Sequence, residues 1–205
     1  MSILVKICGI KSQNEAQSVC EVNFNGKRVD FIGVILAKSP RQVDLDTAKK
    51  IVNIAHSYKI KAVGVYDSNN LDEILNSALE AKFDVVQIYT QASKQDFAKF
   101  SSNSIKLWQA CSVGSILPDL NQNCDLVLYD AKGVNLGGNG VSFDWSLLDG
   151  VKSEFGLAGG LGVHNVKDAL KSGAILLDFN SKLEDNNNMV KDPKKIYEIL
   201  KIIRN

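Results

Sequence analysis

Short apolar runs recur along the chain, and polar stretches with apolar residues at helical spacing separate them. Several runs are rich in Val, Ile and Leu without alternation, which is typical of strands covered on both faces. We expect strands at residues 3–7, 30–36, 61–66, 84–89, 105–110, 125–129, 155–158 and 174–178. Helical spacing and capping residues predict helices at 13–24, 45–58, 71–81, 164–171 and 193–203. The stretches 112–122 and 142–149 are short enough to hold only a turn or two.

This alternation predicts an α/β fold. Eight strand units in 205 residues favour one (β/α)8 TIM-barrel domain over residues 1–205, because parallel strands need crossovers that are usually helical. An open doubly wound sheet fits the periodicity almost as well and stays open as an alternative. No Pro/Ser-rich linker or charge run divides the chain.

Composition narrows the class of protein. The 24 basic and 23 acidic residues nearly cancel, so no electrostatic signature of a nucleic-acid partner exists. No apolar run approaches the ~18 residues of a membrane span, and the N-terminus lacks a signal-peptide pattern. The four cysteines show no CxxC spacing, which favours reduced thiols over disulfides or zinc ligands. We therefore expect a cytoplasmic protein without a nucleic-acid or membrane partner.

Three of the apolar runs end in a residue that can transfer a proton. Cys8 closes the first run and is followed by Gly9, Asp130 ends the sixth run, and Asp178 ends the eighth. On neighbouring parallel strands, one thiol and two carboxyl groups would meet at one face and suffice for acid–base chemistry. Lys6 lies two residues before Cys8, so it should point to the same side of the strand, one layer deeper. The alternatives are an inert core cysteine and carboxylates that only cap turns.

Further polar candidates follow other strands. Glycine-rich loops at 137–140 and 158–162 would let backbone N–H groups approach an anion, and barrels commonly build phosphate sites in this region. Arg41, after strand two, could hold a carboxylate, and Gln87 near the end of strand four would face the site or pack. Ligand-free turns and a solvated arginine are the alternatives. The two histidines fall on a predicted helix surface and at a helix start, so we predict no metal cluster.

Taken together, five segments resemble the phosphoribosylanthranilate isomerase family. They are residues 5–10 (VKICGI), 38–41 (KSPR), 63–66 (VGVY), 137–140 (GGNG) and 157–161 (LAGGL). The resemblance implies a closed (β/α)8 barrel. It also implies the third committed step of tryptophan biosynthesis, an Amadori rearrangement of N-(5-phosphoribosyl)anthranilate to 1-(2-carboxyphenylamino)-1-deoxyribulose 5-phosphate.

The resemblance assigns a role to each matching position. Cys8 would be the general base, Asp130 the general acid, Arg41 the ligand of the anthranilate carboxylate, and Asp178 and Gln87 further substrate contacts. The phosphate-binding positions would be Gly138, Asn139, Gly140, Gly159, Gly160, Asn180, Ser181 and Lys182. No cofactor is expected, because a protonated Schiff base formed from the substrate is itself the electron sink. The partner would be this small-molecule substrate, and a homodimer is kept open.

The chain departs from the family pattern in three places. The family usually has Gln-Leu-His-Gly where residues 87–90 read QIYT, and a lysine where Val141 stands. Its final signature, Asp-Val-Ser-Ser-Gly-Val-Glu, is DFNSKLE at 178–184, so Lys182 replaces a glycine. We hypothesise that the Lys182 ammonium replaces part of the lost phosphate contact.

Two competing functions remain. One is a sugar-phosphate-binding barrel of the same family that has lost catalysis. The other is a related barrel enzyme, an indole-glycerol-phosphate synthase or a ribulose-phosphate epimerase. The synthase would need catalytic lysines and a glutamate, and the epimerase metal-binding histidines, and neither set is evident in the sequence.

Overall fold

The computed structural model describes residues 3–120, 123–131, 143–185 and 188–205. Eight parallel strands pair in chain order and close into a barrel, because β1 pairs with both β2 and β8. The strands are β1 (Leu4–Cys8), β2 (Phe31–Ile35), β3 (Lys61–Tyr66), β4 (Val85–Ile88), β5 (Lys106–Val113), β6 (Leu126–Ala131), β7 (Phe155–Leu157) and β8 (Leu176–Phe179). All eight expected strands are confirmed, and the open-sheet alternative is wrong.

Six α-helices cover the barrel in the described part of the chain. They are α1 (Gln13–Glu21), α2 (Leu45–Ser57), α3 (Leu71–Ala81), α4 (Lys94–Ser102), α5 (Val166–Ala169) and α6 (Pro193–Arg204). The side chains of Ser12, Asp44 and Asn70 accept backbone N–H bonds and fix the predicted starts of α1, α2 and α3. None of these helices is long and apolar enough to cross a membrane.

Two connections differ from the expectation. Helix α4 was not predicted, although Ser93 and Asp96 form a reciprocal capping box at its start. Helix α5 is a four-residue piece of the predicted 164–171 helix. The two short stretches agree with the expectation: the described residues hold a 3₁₀ turn at Trp145–Leu148 between β6 and β7 and no helix between β5 and β6.

The apolar residues form two separate layers. A larger outer core lies between the strands and the helices. A smaller inner core fills the barrel with residues that alternate along the strands, including Cys8, Phe31, Val63, Val65, Val85, Trp108, Ala110, Leu126, Leu128 and Leu176. Within the inner core, the rings of Phe31 and Trp108 pack edge to face, with their centroids 5.0 Å apart. The alternation continues upward, so Gln87, Asp130 and Asp178 also point inward, above this plug and towards the carboxyl ends of the strands.

Candidate active site

One cleft opens at the carboxyl ends of the strands, where the inner core stops. Every sequence-predicted site residue that the structure describes lines it: Cys8, Arg41, Gln87, Asp130, Gly159, Gly160, Asp178, Asn180, Ser181 and Lys182. Gly138, Asn139 and Gly140 lie outside the described residues, so their predicted phosphate contacts stay predictions. The barrel thus brings together side chains from β1, β4, β6 and β8 that are far apart in the sequence.

Cys8 sits at the end of β1, 5% exposed, with its side chain on the wall of the cleft. Burial raises the pKa of its thiol, and the charge of Asp178 adds to this rise, whereas Lys6 and Lys191 act to lower it. The surrounding protein groups therefore favour the thiol form. A base at this position needs further positive charge nearby before it takes a proton.

Asp130 is buried at the end of β6 and also faces the cleft. Burial and the nearby charge of Asp178 raise the pKa of its carboxyl group from 3.8 to about 7. At neutral pH a large fraction of Asp130 is consequently protonated. A carboxyl group in this state can donate a proton, which is the requirement for a general acid.

Lys6 lies beneath these groups as a fully buried cation. Its ammonium donates to Asp178 Oδ2 at 2.7 Å and to Gln87 Oε1 at 2.8 Å. Burial alone would lower the pKa of Lys6, but the charges of Asp178 and Cys8 outweigh burial and raise it, so the ammonium persists. The other carboxylate oxygen, Asp178 Oδ1, is buried at the cleft without a hydrogen-bond partner in the described residues. It is the acceptor that remains open to a ligand.

A second charged network holds Arg41. The guanidinium donates from Nε and Nη2 to the two carboxylate oxygens of Glu184, at 2.6 and 2.7 Å. Lys191 donates to the same carboxylate at 2.5 Å and to Asn180 Oδ1 at 2.9 Å. These cations lower the pKa of Glu184 to about 2 against the opposing effect of burial. Sequence reasoning missed Glu184 and Lys191, because their partner Arg41 lies about 150 residues earlier in the sequence.

Glycines let the backbone pack closely at two places in the cleft. Gly9 has φ +81°, and a Cβ there would lie 2.7 Å from both Arg41 Cδ and Asn180 Oδ1. Gly159 has φ +91°, and a Cβ there would lie 2.6 Å from the Ala131 backbone nitrogen and 3.0 Å from Asp130 Oδ1. Both positions therefore require glycine for conformation and for space.

The loop after β7 is shaped by its own hydrogen bonds. Asn165 accepts from the Gly162 backbone N–H at 2.9 Å and donates to the Gly160 carbonyl at 3.2 Å. This pair of bonds folds the glycine loop against the start of α5. The exposed Lys182, in the turn after β8, lies at the same end of the cleft, close enough that a Cβ on Gly162 would meet Lys182 Cβ at 2.9 Å.

Part of the cleft wall is apolar. Ile35, Ala37 and Val65 form it at the ends of β2 and β3, and the ring of Tyr89 adjoins them. Burial raises the pKa of the Tyr89 phenol well above its usual value, and the charges of Asp130 and Cys8 add to the rise, so the phenol stays neutral. Arg41 lines the same cleft as these apolar residues.

Comparison with known proteins agrees with this architecture. The family model for N-(5'phosphoribosyl)anthranilate (PRA) isomerase matches residues 5–202. An N-(5'-phosphoribosyl)anthranilate isomerase of Campylobacter jejuni is 45% identical over 202 residues and covers 98% of each chain.

Solved structures share the fold at lower identity. Phosphoribosyl anthranilate isomerase of Thermotoga maritima is 24% identical, with a TM-score of 0.80 over 98% of each chain. A second structure derives from the Thermotoga maritima isomerase described as dimeric; it is 23% identical, with a TM-score of 0.77 over 98% of each chain. By the family match and the identity to the curated relative, this chain belongs to the N-(5'-phosphoribosyl)anthranilate isomerase family.

Proposed function

We propose that the chain converts N-(5-phosphoribosyl)anthranilate to 1-(2-carboxyphenylamino)-1-deoxyribulose 5-phosphate, with Cys8 as the general base and Asp130 as the general acid. One observation carries this assignment. A buried thiol at the end of β1 and a buried carboxyl group with a pKa of about 7 at the end of β6 line the same cleft. Acid–base isomerisation needs one group of each kind on a single bound sugar.

The first step belongs to Asp130. Its protonated carboxyl group donates to the ring oxygen of the furanose, and the bond from that oxygen to C1 breaks as the nitrogen lone pair forms a protonated Schiff base. The pKa of about 7 supports this role, because the group holds its proton at neutral pH and still gives it up readily.

The second step belongs to Cys8. The iminium acidifies the proton on C2, and the thiolate removes it to leave an enolamine, which tautomerises to the ketose product. The positive charge of the iminium also favours the thiolate, which burial of Cys8 and the charge of Asp178 disfavour. Formation of the iminium therefore promotes ionisation of the Cys8 thiol.

The remaining cleft residues position the substrate. The open oxygen Asp178 Oδ1 would accept from a sugar hydroxyl. Arg41, held by Glu184, would bind the anthranilate carboxylate, and the apolar residues that line the same cleft would contact its ring. The Gly159–Gly160 turn, Asn180, Ser181 and Lys182 would surround the phosphate. Such positioning raises the effective concentration of the reacting groups.

The decisive experiment compares Cys8→Ser and Asp130→Asn with a Cys124→Ser control. Cys124 is half-buried and lies outside the cleft. Product formation is followed in an assay coupled to the next enzyme of the pathway. We expect each site variant to lose about 10²–10⁴ in kcat with little change in KM, and the control to match the unaltered protein. An unaltered protein that binds substrate but forms no product would instead support a barrel that has lost catalysis.

We also propose that the chain works in the cytoplasm as a homodimer. The four cysteines are free, and a catalytic thiol needs a compartment that keeps thiols reduced. The second part is motivated by the isomerase of Thermotoga maritima, which is described as dimeric and from which the monomers of one structural neighbour were generated. Light scattering at the concentrations of the activity assay tests it, and a mass near 22.4 kDa would reject the dimer.

A further inference from the structure

The interior of the barrel contains a charged group that the reaction scheme above does not use. The side chain of Lys6 is fully buried, and its one ionic partner in the described residues is Asp178, at 2.7 Å. Burying a lysine is costly, and a well-packed apolar residue of similar volume often serves stability as well or better. The position of this cation beneath the cleft therefore calls for a reason beyond packing.

Lys6 and Cys8 run side by side along the inner face of β1. Both pass over Gly33 on the neighbouring strand β2, where a Cβ would lie 2.8 Å from Cys8 Sγ and 3.0 Å from Lys6 Cε. Because Gly33 has no side chain, the aliphatic part of the Lys6 side chain and the Cys8 thiol can both pack over this position. An ammonium has three N–H donors, and Asp178 and Gln87 receive two of them. The third N–H of the Lys6 ammonium remains available to the sulfur of Cys8.

We propose that Lys6 is a positioning residue for the isomerase reaction, whose buried ammonium stabilises the Cys8 thiolate from below and holds the Asp178 carboxylate with one oxygen open to the substrate. This role rests on the function proposed above for Cys8. The ammonium keeps its proton throughout, so no additional proton-transfer step is needed. Its charge offsets the negative charge that builds up on sulfur when the thiolate forms.

Several other groups act on the same thiol. Asp178 on β8 opposes the thiolate, whereas Lys191, in the segment after β8, favours it. Arg41 after β2 and Tyr89 after β4 also interact electrostatically with Cys8. Of the cations, Lys6 has the largest effect on Cys8, and it alone among these groups lies on the same strand. Removing Lys6 and removing Asp178 should therefore shift the Cys8 pKa in opposite directions.

The test measures the reactivity of Cys8 in the free protein, which needs no substrate. Variants Lys6→Met and Asp178→Asn are treated with iodoacetamide over a range of pH, and peptide mass mapping separates Cys8 from the other three cysteines. At pH 8 we expect Lys6→Met to alkylate Cys8 at least about tenfold more slowly and Asp178→Asn to alkylate it faster, since one pKa unit changes the thiolate fraction about tenfold. The control is Lys106→Met, which breaks an exposed Lys–Asp pair of the same 2.7 Å length and should leave the rate unchanged.

A purely structural role for Lys6 predicts a different result. Loss of packing would loosen the site in both variants and move both alkylation rates in the same direction, which would overturn the proposal. Should Lys6→Met fail to fold, the double variant Lys6→Met/Asp178→Asn has no unpaired buried charge, and its comparison with Asp178→Asn isolates the Lys6 charge. Equal rates in those two proteins would also overturn it. A protein without isomerase activity but with opposite shifts would reject the proposed function and keep the charge effect.

Discussion

Asp130→Asn should increase the stability of the fold at alkaline pH while it removes the proposed general acid. Asp130 is 7% exposed, and burial together with Asp178 raises the pKa of its carboxyl group from 3.8 to about 7. Between these two pH values the native state binds a proton that the unfolded chain has released. The free energy of unfolding therefore falls as the pH rises through this window, and it falls no further once the pH exceeds the native pKa.

The magnitude follows from the shift. A rise of about three pKa units corresponds to about 4 kcal/mol at a pH well above 7, and relaxation of the site reduces what is measured to about 2–4 kcal/mol. Asparagine has the same shape and carries no charge, so it avoids this cost. We expect the variant and the unaltered protein to differ little at pH 4, and the variant to be more stable by the full amount at pH 8.5.

Urea unfolding at pH 4, 5.5, 7 and 8.5, followed by circular dichroism, measures this difference. A useful control is Asp168→Asn, because Asp168 is exposed and a hydrogen bond from Lys171 lowers rather than raises its carboxyl pKa. That control should show no gain in stability at alkaline pH. A constant difference between Asp130→Asn and the unaltered protein from pH 4 to 8.5 would refute the reasoning, since it would mean that Asp130 titrates alike in the folded and unfolded chains.

Three further predictions concern the remainder of the cleft. Glu184→Gln removes the counter-charge of the buried cations Arg41 and Lys191 and releases Arg41. We expect the free energy of unfolding in urea to fall by about 3 kcal/mol and KM to rise. An unchanged KM would show that this ion pair does not contribute to substrate binding. Gly159→Ala forces a Cβ into the end of β6 at a positive φ, and should lower kcat about tenfold or more by displacing the carboxyl group of the proposed acid Asp130; full activity would contradict it. Lys182→Ala should raise KM several-fold if the ammonium contacts phosphate, whereas the exposed neighbour Lys194, outside the cleft, serves as the matched control; an unchanged KM in Lys182→Ala discards the contact.

The sequence predicts the barrel well because its signal is local. Unbroken Val, Ile and Leu runs mark strands covered on both faces, and the inner core shows why: one face of each strand packs inside the barrel and the other against the helices. The missed helix α4 has a weak apolar pattern, since Phe100 is its one fully buried residue. Its capping box at Ser93 was a signal that could have identified it.

The site was predictable only in part, for a physical reason. Cys8, Asp130 and Asp178 end strands, and parallel strands in a barrel end at the same face, so their meeting follows from the fold. The inward direction of Lys6 follows from the two-residue period of β1. The pairing of Arg41 with Glu184, in contrast, depends on how two loops settle against each other, and no local pattern encodes it.

The pairing of Lys6 with Asp178 also affects how the barrel closes during folding. These two residues stand directly opposite each other where the first and last strands join. If β8 shifted by one residue against β1, the side chain of Asp178 would point out of the barrel. Lys6 would then be a buried cation without a counter-charge among aliphatic groups. The pairing of β1 with β8 therefore has one favourable register. The same register brings the residues of the cleft together.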